Sequence, residues 1–242
     1  MDLPVEQNLV FKAAQMLQRH AGIKKGARIK LEKDIPSGSG LGGGSSNAAY
    51  TLVGLNRLWG LGLSGDELKT IGSSLGSDVF FFFANIAGNP LAITEGRGEV
   101  LTPLKINIPF ILLLVKPPLS VSTSWAYETI RSKRQLQGVK TELTKIEDKI
   151  NNIQLIYKLL LTGETRLLGS IIYNDFEDIV IEKHPVIRIL KDEILKAGAS
   201  LSLMSGSGST VFGIFEDKDR AIKASERLSS YWNRVVETGI SS

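Results

Sequence analysis

Between a stretch that alternates apolar and charged residues, Arg28 to Ile35, and one with helical periodicity, the chain places five glycines in eleven residues, Pro36 to Ser46. Glycine accepts backbone angles closed to other residues and leaves its amide uncovered. A helix that starts at the end of such a loop adds unpaired N–H groups and the positive end of its dipole. Ser45, Ser46 and Asn47 add side-chain donors there. A strand–loop–helix of this composition suits a chain of phosphates. A flexible linker is the bland alternative, but linkers are not flanked tightly by periodic elements.

Composition narrows the chemistry. In 242 residues there is no cysteine, and His20 and His184 are the two histidines. Disulfides, thiol nucleophiles and Cys/His zinc sites are excluded, leaving carboxylates, lysines, arginines, hydroxyls and amides for any catalysis. The net charge of +4 is mild and scattered, so neither nucleic acid nor membrane is expected as a partner. Ile108 to Val115, the longest apolar run, is far short of the roughly 20 residues of a membrane span. The acidic start MDLPVEQN carries no apolar leader and, with the lack of cysteine, points to the cytoplasm.

Periodicity predicts a helix from Asn8, its cap, to His20, with Leu9, Ala13, Met16 and Leu17 inward, and a half-buried strand over Arg28–Ile35. Ala48, Leu52, Leu55 and Trp59 share the stripe of a second helix. Ser64 and Glu67 form a capping box for a third that runs to Leu75, and the block Phe80 to Phe83 reads as buried. Arg97-Gly98-Glu99 reads as a turn and Ile108–Val115 as a central strand. Glu128–Lys149 reads as a solvated helix or linker, and Asn152–Leu161 and Leu167–Ile181 as helical. Further on, helices are expected over Pro185–Ala197 and Asp217–Tyr231, with strands at Leu201–Met204, Thr210–Phe215 and Arg234–Glu237. A glycine-serine loop, Ser205–Ser209, lies between two of them. The domain boundary is placed near Pro103, giving domains 1–103 and 104–242.

Gly38, Gly40 and Gly43 satisfy G-x-G-x-x-G, but Asp66 and Glu67, at about the distance of a ribose-binding acid, belong to the capping box. The chain also has no Gly-Lys pair for a Walker loop. What remains, Pro-x-x-x-Gly-Leu-Gly-Gly-Gly-Ser-Ser-x-Ala-Ala from Pro36 to Ala49, resembles the GHMP kinase superfamily. Five further motifs follow in that family's order. They are Asn8-Leu9-Val10 with Lys12-Ala13-Ala14, Leu75 to Val79, Gly96 to Glu99, Asn174-Asp175-Phe176, and Met204 to Ser209.

The resemblance implies an α+β fold, with a ribosomal-protein-S5-like N-terminal domain and a ferredoxin-like C-terminal domain. It implies ATP and Mg2+ as cofactors, and a small-molecule cytidyl diphosphate as partner. The reaction it implies is phosphorylation of the 2-hydroxyl of a diphosphocytidyl-methylerythritol in non-mevalonate isoprenoid synthesis, by a monomer or homodimer. Pro36, Ser37, Gly38, Ser39, Gly40, Leu41, Gly42, Gly43, Gly44, Ser45 and Ser46 would wrap the ATP phosphates, and Ser46 would help hold magnesium. Asp78 carries over as the catalytic aspartate; local sequence alone leaves it even between that role and a helix cap. Ser205–Ser209 matches the family's third motif, although a plain β-turn fits its local sequence equally. Lys33 is a candidate for the nucleotide part of the substrate, and its spacing favours a solvated lysine.

The chain departs from the family at two places. Phe80 stands where the family usually has proline. Family members also open with a β-rich section carrying an Ala-Lys-x-Asn-Leu lysine, and later have a Gly-Tyr-His segment; neither is present. Lys12 and Lys33 do not match, so no catalytic lysine carries over. The expectation is an N-terminal domain without its opening strands. Another GHMP small-molecule kinase, of homoserine or mevalonate type, and an inactive nucleotide-binding fragment are the alternatives.

Overall fold

The computed structural model describes residues 4–86, 88, 91–96, 98, 100–104, 110–136 and 143–238. They form two compact units. The first takes Met1–Ser37 and Gly42–Lys105, and the second takes Gly38–Leu41 and Ile106–Ser242.

In the first unit, a 3-10 turn (Val5–Gln7) precedes α1 (Leu9–Ala21). Asn8 caps α1, its Oδ1 accepting from the Val10 amide at 3.0 Å, and Gly22 ends it in the left-handed region. α2 (Gly43–Trp59) stops at Gly60, and α3 (Gly65–Ser73) starts from the Ser64–Glu67 capping box. The Ser64 hydroxyl and amide hold the Glu67 carboxyl below its ordinary pKa. α4 (Ser77–Ile86) and a hairpin, β1 (Ala92–Glu95) and β2 (Val100–Pro103), complete the unit. Ala13 and Leu17 of α1, Leu52 and Trp59 of α2, Leu68 and Ile71 of α3, and Val79 and Phe83 of α4 share one core. Gly72 lets α3 and α4 approach, since a Cβ there would stand 2.7 Å from the Phe83 ring.

Several expectations need correction. Residues 28–35 run without a ladder partner among the described residues, and Ile29, Leu31 and Ile35 are 43%, 37% and 39% exposed. Alternation gives a strand its two faces, but a ladder also needs a neighbour, and no described strand lies alongside. Of the four phenylalanines only Phe83 is buried, because they lie on a helix and Val79 and Phe83, one turn apart, take the inward face. α3 stops at Ser73, two residues early, with Ser74 as its C-cap. The β1–β2 hairpin was not anticipated. Its expected turn residues Arg97 and Glu99 lie outside the described residues, as do Ile108 and 137–142 of the charged stretch.

The second unit is built on a four-stranded antiparallel sheet of order β4-β5-β3-β6: β3 (Ile111–Lys116), β4 (Leu201–Met204), β5 (Val211–Phe215) and β6 (Trp232–Glu237). Helices α5 (Thr123–Leu136), α6 (Leu143–Thr162), α7 (Thr165–Ile171), α8 (Glu177–Lys183) and α9 (Val186–Lys196) separate β3 from β4, and α10 (Lys218–Arg227) separates β5 from β6. The order of strands and crossovers is that of a ferredoxin-like fold. Leu113, Val115, Val211 and Phe215 pack against Ile187, Leu190 and Ile194, whereas Leu201, Leu203 and Ile214 pack against Leu159 and Leu168. Successive strand residues point to opposite faces, so the sheet has a core on each side.

The expected helical segment Leu167–Ile181 is two helices, broken at 172–176. There Asn174 Nδ2 donates to the carbonyls of Met204 and Gly206, both at 2.7 Å, and Glu177 Oε1 accepts from the Met204 amide at 2.6 Å. The edge strand β4 is thereby capped by side chains. Lys191 pairs with the same Glu177 carboxylate. Among the described residues no helix is long and apolar enough to cross a membrane.

Lys116, the last residue of β3, is 8% exposed and donates to the carbonyls of Pro117 (3.2 Å) and Leu119 (2.8 Å). Burial lowers its pKa from the ordinary 10.5. The unfolded chain therefore binds this proton more tightly than the folded one, and folding gains stability as pH rises through the folded pKa toward the ordinary value. Denaturant unfolding of the wild type and Lys116→Met at pH 8 and 10.5 checks this. The wild type should gain stability relative to the variant as pH rises; a constant difference would contradict the assignment. Within α2, Leu52→Ala should cost about 2–5 kcal/mol, because Leu52 is fully buried. Leu58→Ala, at a position 68% exposed on the same helix, should stay within about 0.5 kcal/mol of wild type.

Candidate active site

α2 begins directly after the glycine loop. Gly42 precedes it in the left-handed region (φ 67°), and the first intrahelical bond runs from the Ser46 amide to the Gly42 carbonyl at 2.9 Å. The amides of Gly43, Gly44 and Ser45 thus precede the helical ladder, and no side chain caps them. In the first unit these three donors, with the positive end of a 17-residue helix behind them, form a ready anion site.

α4 meets this helix start. The Phe82 ring packs on Gly42, where a Cβ would come within 3.0 Å of it. Asp78 lies four residues before Phe82, so the two share a face of α4 with their Cα atoms about 6 Å apart along its axis. Asp78 is exposed in the first turn of α4, with the Ser77 hydroxyl 3.4 Å from Oδ1. Gly98 closes over the neighbouring residue: a Cβ there would lie 3.2 Å from both Ser77 Cβ and Ser77 O. The first unit therefore brings Gly42, just before α2, against Phe82, and Gly98 against Ser77, the neighbour of Asp78. Of the hairpin that carries Gly98, the sequence showed the turn and the Gly96 to Glu99 motif but not the two strands.

The middle of the loop, Gly38–Leu41, belongs to the second unit. The Thr210 amide donates to Ser39 O at 3.1 Å, and Ser205 Oγ donates to Gly40 O at 2.9 Å. Gly40 (φ 74°) sits so close to the second glycine loop that a Cβ would be 2.2 Å from Ser205 O and 2.8 Å from Gly208 O. Ser205–Ser209 is thus more than a turn between β4 and β5, because it is stitched to the middle of the first glycine loop. Thr210 Oγ1 is buried with no partner among the described residues. Lys33 is exposed and makes no ion pair among the described residues, and the structure does not gather it with Asp78 or Gly42. Among the described residues no three acidic or histidine side chains cluster as metal ligands.

Comparison with known proteins gives this geometry a family. Residues 8–85 match the GHMP kinases N terminal domain and residues 156–234 the GHMP kinases C terminal domain. The chain is 50% identical over 234 residues to the 4-diphosphocytidyl-2-C-methyl-D-erythritol kinase of Thermodesulfovibrio yellowstonii, covering 96% of this chain and 78% of that one. The chain belongs to the GHMP kinase family. A kinase of the same name from Clostridioides difficile is 41% identical over 237 residues, 97% of this chain and 75% of that protein. A crystal structure of 4-(cytidine 5'-diphospho)-2C-methyl-D-erythritol kinase superposes with a TM-score of 0.75 at 32% identity, covering 96% of this chain and 78% of that one. The GHMP kinase is accordingly a small-molecule phosphotransferase with the expected two-domain α+β fold.

The glycine cradle is open to a direct test. Gly40→Ala places a methyl group into two carbonyl oxygens at a left-handed position, and should cost more than about 2 kcal/mol and several degrees of Tm. Gly44→Ala lies in the helix, 3.4 Å from Leu9 Cδ1, and should be tolerated. Equal melting temperatures for the two variants would refute the close approach.

Proposed function

We propose that this GHMP kinase transfers the γ-phosphoryl group of ATP to the 2-hydroxyl of 4-diphosphocytidyl-2-C-methyl-D-erythritol. The observation that carries this reading is the 50% identity, across nearly the whole chain, to a kinase named for that substrate. Phosphoryl transfer asks a protein mainly for positioning and for donors aimed at oxygen charge. The uncapped amides of Gly43, Gly44 and Ser45 meet that requirement. Pro36, Ser37, Ser39 and Leu41 shape the loop around them. ATP supplies the phosphoryl group, and Mg2+ neutralises charge on its oxygens. Ser46, in the first turn of α2, would offer the metal one hydroxyl oxygen, the number a phosphate-bound magnesium needs being small.

Asp78 is the group for the acceptor. Its exposed carboxylate, beside the loop end through the Phe82–Gly42 contact, accepts a hydrogen bond from the acceptor hydroxyl and takes its proton as the new bond forms. Asp78→Asn keeps size and polarity but removes the base. Turnover should fall by about 10²-fold or more, with ATP affinity within twofold of wild type. Steady-state kinetics and nucleotide titration check both halves, and comparable turnover would remove Asp78 from the chemistry.

A further inference from the structure

Lys116 is a buried cation that the proposed transfer does not use. Among the described residues no carboxylate pairs with it; its ammonium is spent on the carbonyls of Pro117 and Leu119. These carbonyls are the walls of a tight turn, in which the Leu119 amide also donates to Pro117 O at 2.7 Å. Charged donors to carbonyls are stronger than neutral ones, so the buried ammonium holds two carbonyls of this turn in place.

The turn lies between both glycine loops of the second unit. Ser209 Oγ donates to Leu119 O at 2.8 Å, the same oxygen that Lys116 holds. Val121 lies 3.4 Å from where a Gly208 Cβ would stand. On the other side, a Cβ on Gly38 would be 2.9 Å from Ser120 Oγ. Displacing the turn by a few tenths of an ångström therefore moves Gly38 and Ser209 together. Gly40, packed on Ser205 and Gly208, follows.

We propose that Lys116 is a positioning residue for phosphate binding: through the Pro117–Val121 turn its ammonium sets the spacing of Gly38–Leu41 and Ser205–Ser209. It touches no phosphate itself. The inference rests on the reading of Pro36–Ser46 as the ATP loop, and the experiment separates the two. ATP and adenosine are titrated calorimetrically into wild type, Lys116→Met, Lys116→Arg, Ser209→Ala and the Met/Ala double variant.

Lys116→Met should weaken ATP about tenfold and leave adenosine within twofold, because only the phosphate contacts lose their spacing. Lys116→Arg, which keeps a cation over the turn, should recover ATP affinity to within about threefold of wild type. Ser209→Ala should weaken ATP in the same direction. The double variant should be no weaker than the worse single one, since both donors act on one carbonyl. Unchanged ATP affinity in Lys116→Met, or an equal loss for ATP and adenosine, would overturn the proposal. Should Lys116→Met fail to fold, Ser209→Ala decides: selective loss of ATP supports the shared turn, and no selective loss refutes it. A wild type that binds no ATP would instead sink the ATP-loop reading.

Discussion

The close approach of Gly40 to the second glycine loop is the constraint on which most else depends. Two backbone segments 165 residues apart in sequence meet through Ser205 Oγ and Gly40 O, with carbonyl oxygens where any side chain on Gly40 would have to go. Only glycine permits this, through both its missing Cβ and its left-handed backbone. The contact explains why the first loop is glycine-rich in its middle as well as beside the helix. Gly38 and Gly40 serve packing within the second unit, whereas Gly42, Gly43 and Gly44 bare the start of α2.

The second unit supports this contact from several directions. Asn174 holds Met204 O and Gly206 O, Glu177 holds the Met204 amide, and Ser209 reaches Leu119 O. Asn174 and Ser209 make these bonds from outside regular structure, Asn174 where the helical run through Leu167–Ile181 is broken, while Glu177 makes its bond from the start of α8. Lys116 belongs to the same scaffold at greater electrostatic cost, a desolvated ammonium with carbonyls in place of a carboxylate. In the first unit Phe82 does the corresponding work, bracing Gly42 from α4, while Asp78, one turn away, is exposed.

Much of this was legible in the sequence, for physical reasons that differ by element. The stripe Ala48, Leu52, Leu55, Trp59 and the Ser64–Glu67 box are local signals, and the structure realises both. The ferredoxin-like unit followed from family resemblance more than from strand propensity. What stayed hidden was non-local. Nothing near Gly40 announces Ser205, nothing near Lys116 announces Ser209, and the hairpin over Ala92–Pro103 pairs residues too short in run to show alternation. Residues 28–35 differ for the converse reason: their alternation is genuine, but pairing is a property of two strands.

This kinase is expected to use ATP on a cytidyl diphosphate acceptor. The most direct measurement supplies γ-labelled ATP with 4-diphosphocytidyl-2-C-methyl-D-erythritol, homoserine and mevalonate in parallel and follows the label. Label should enter the cytidyl compound alone, at its 2-hydroxyl. Label in homoserine or mevalonate, or bound ATP with no transfer to any acceptor at high enzyme concentration, would contradict it.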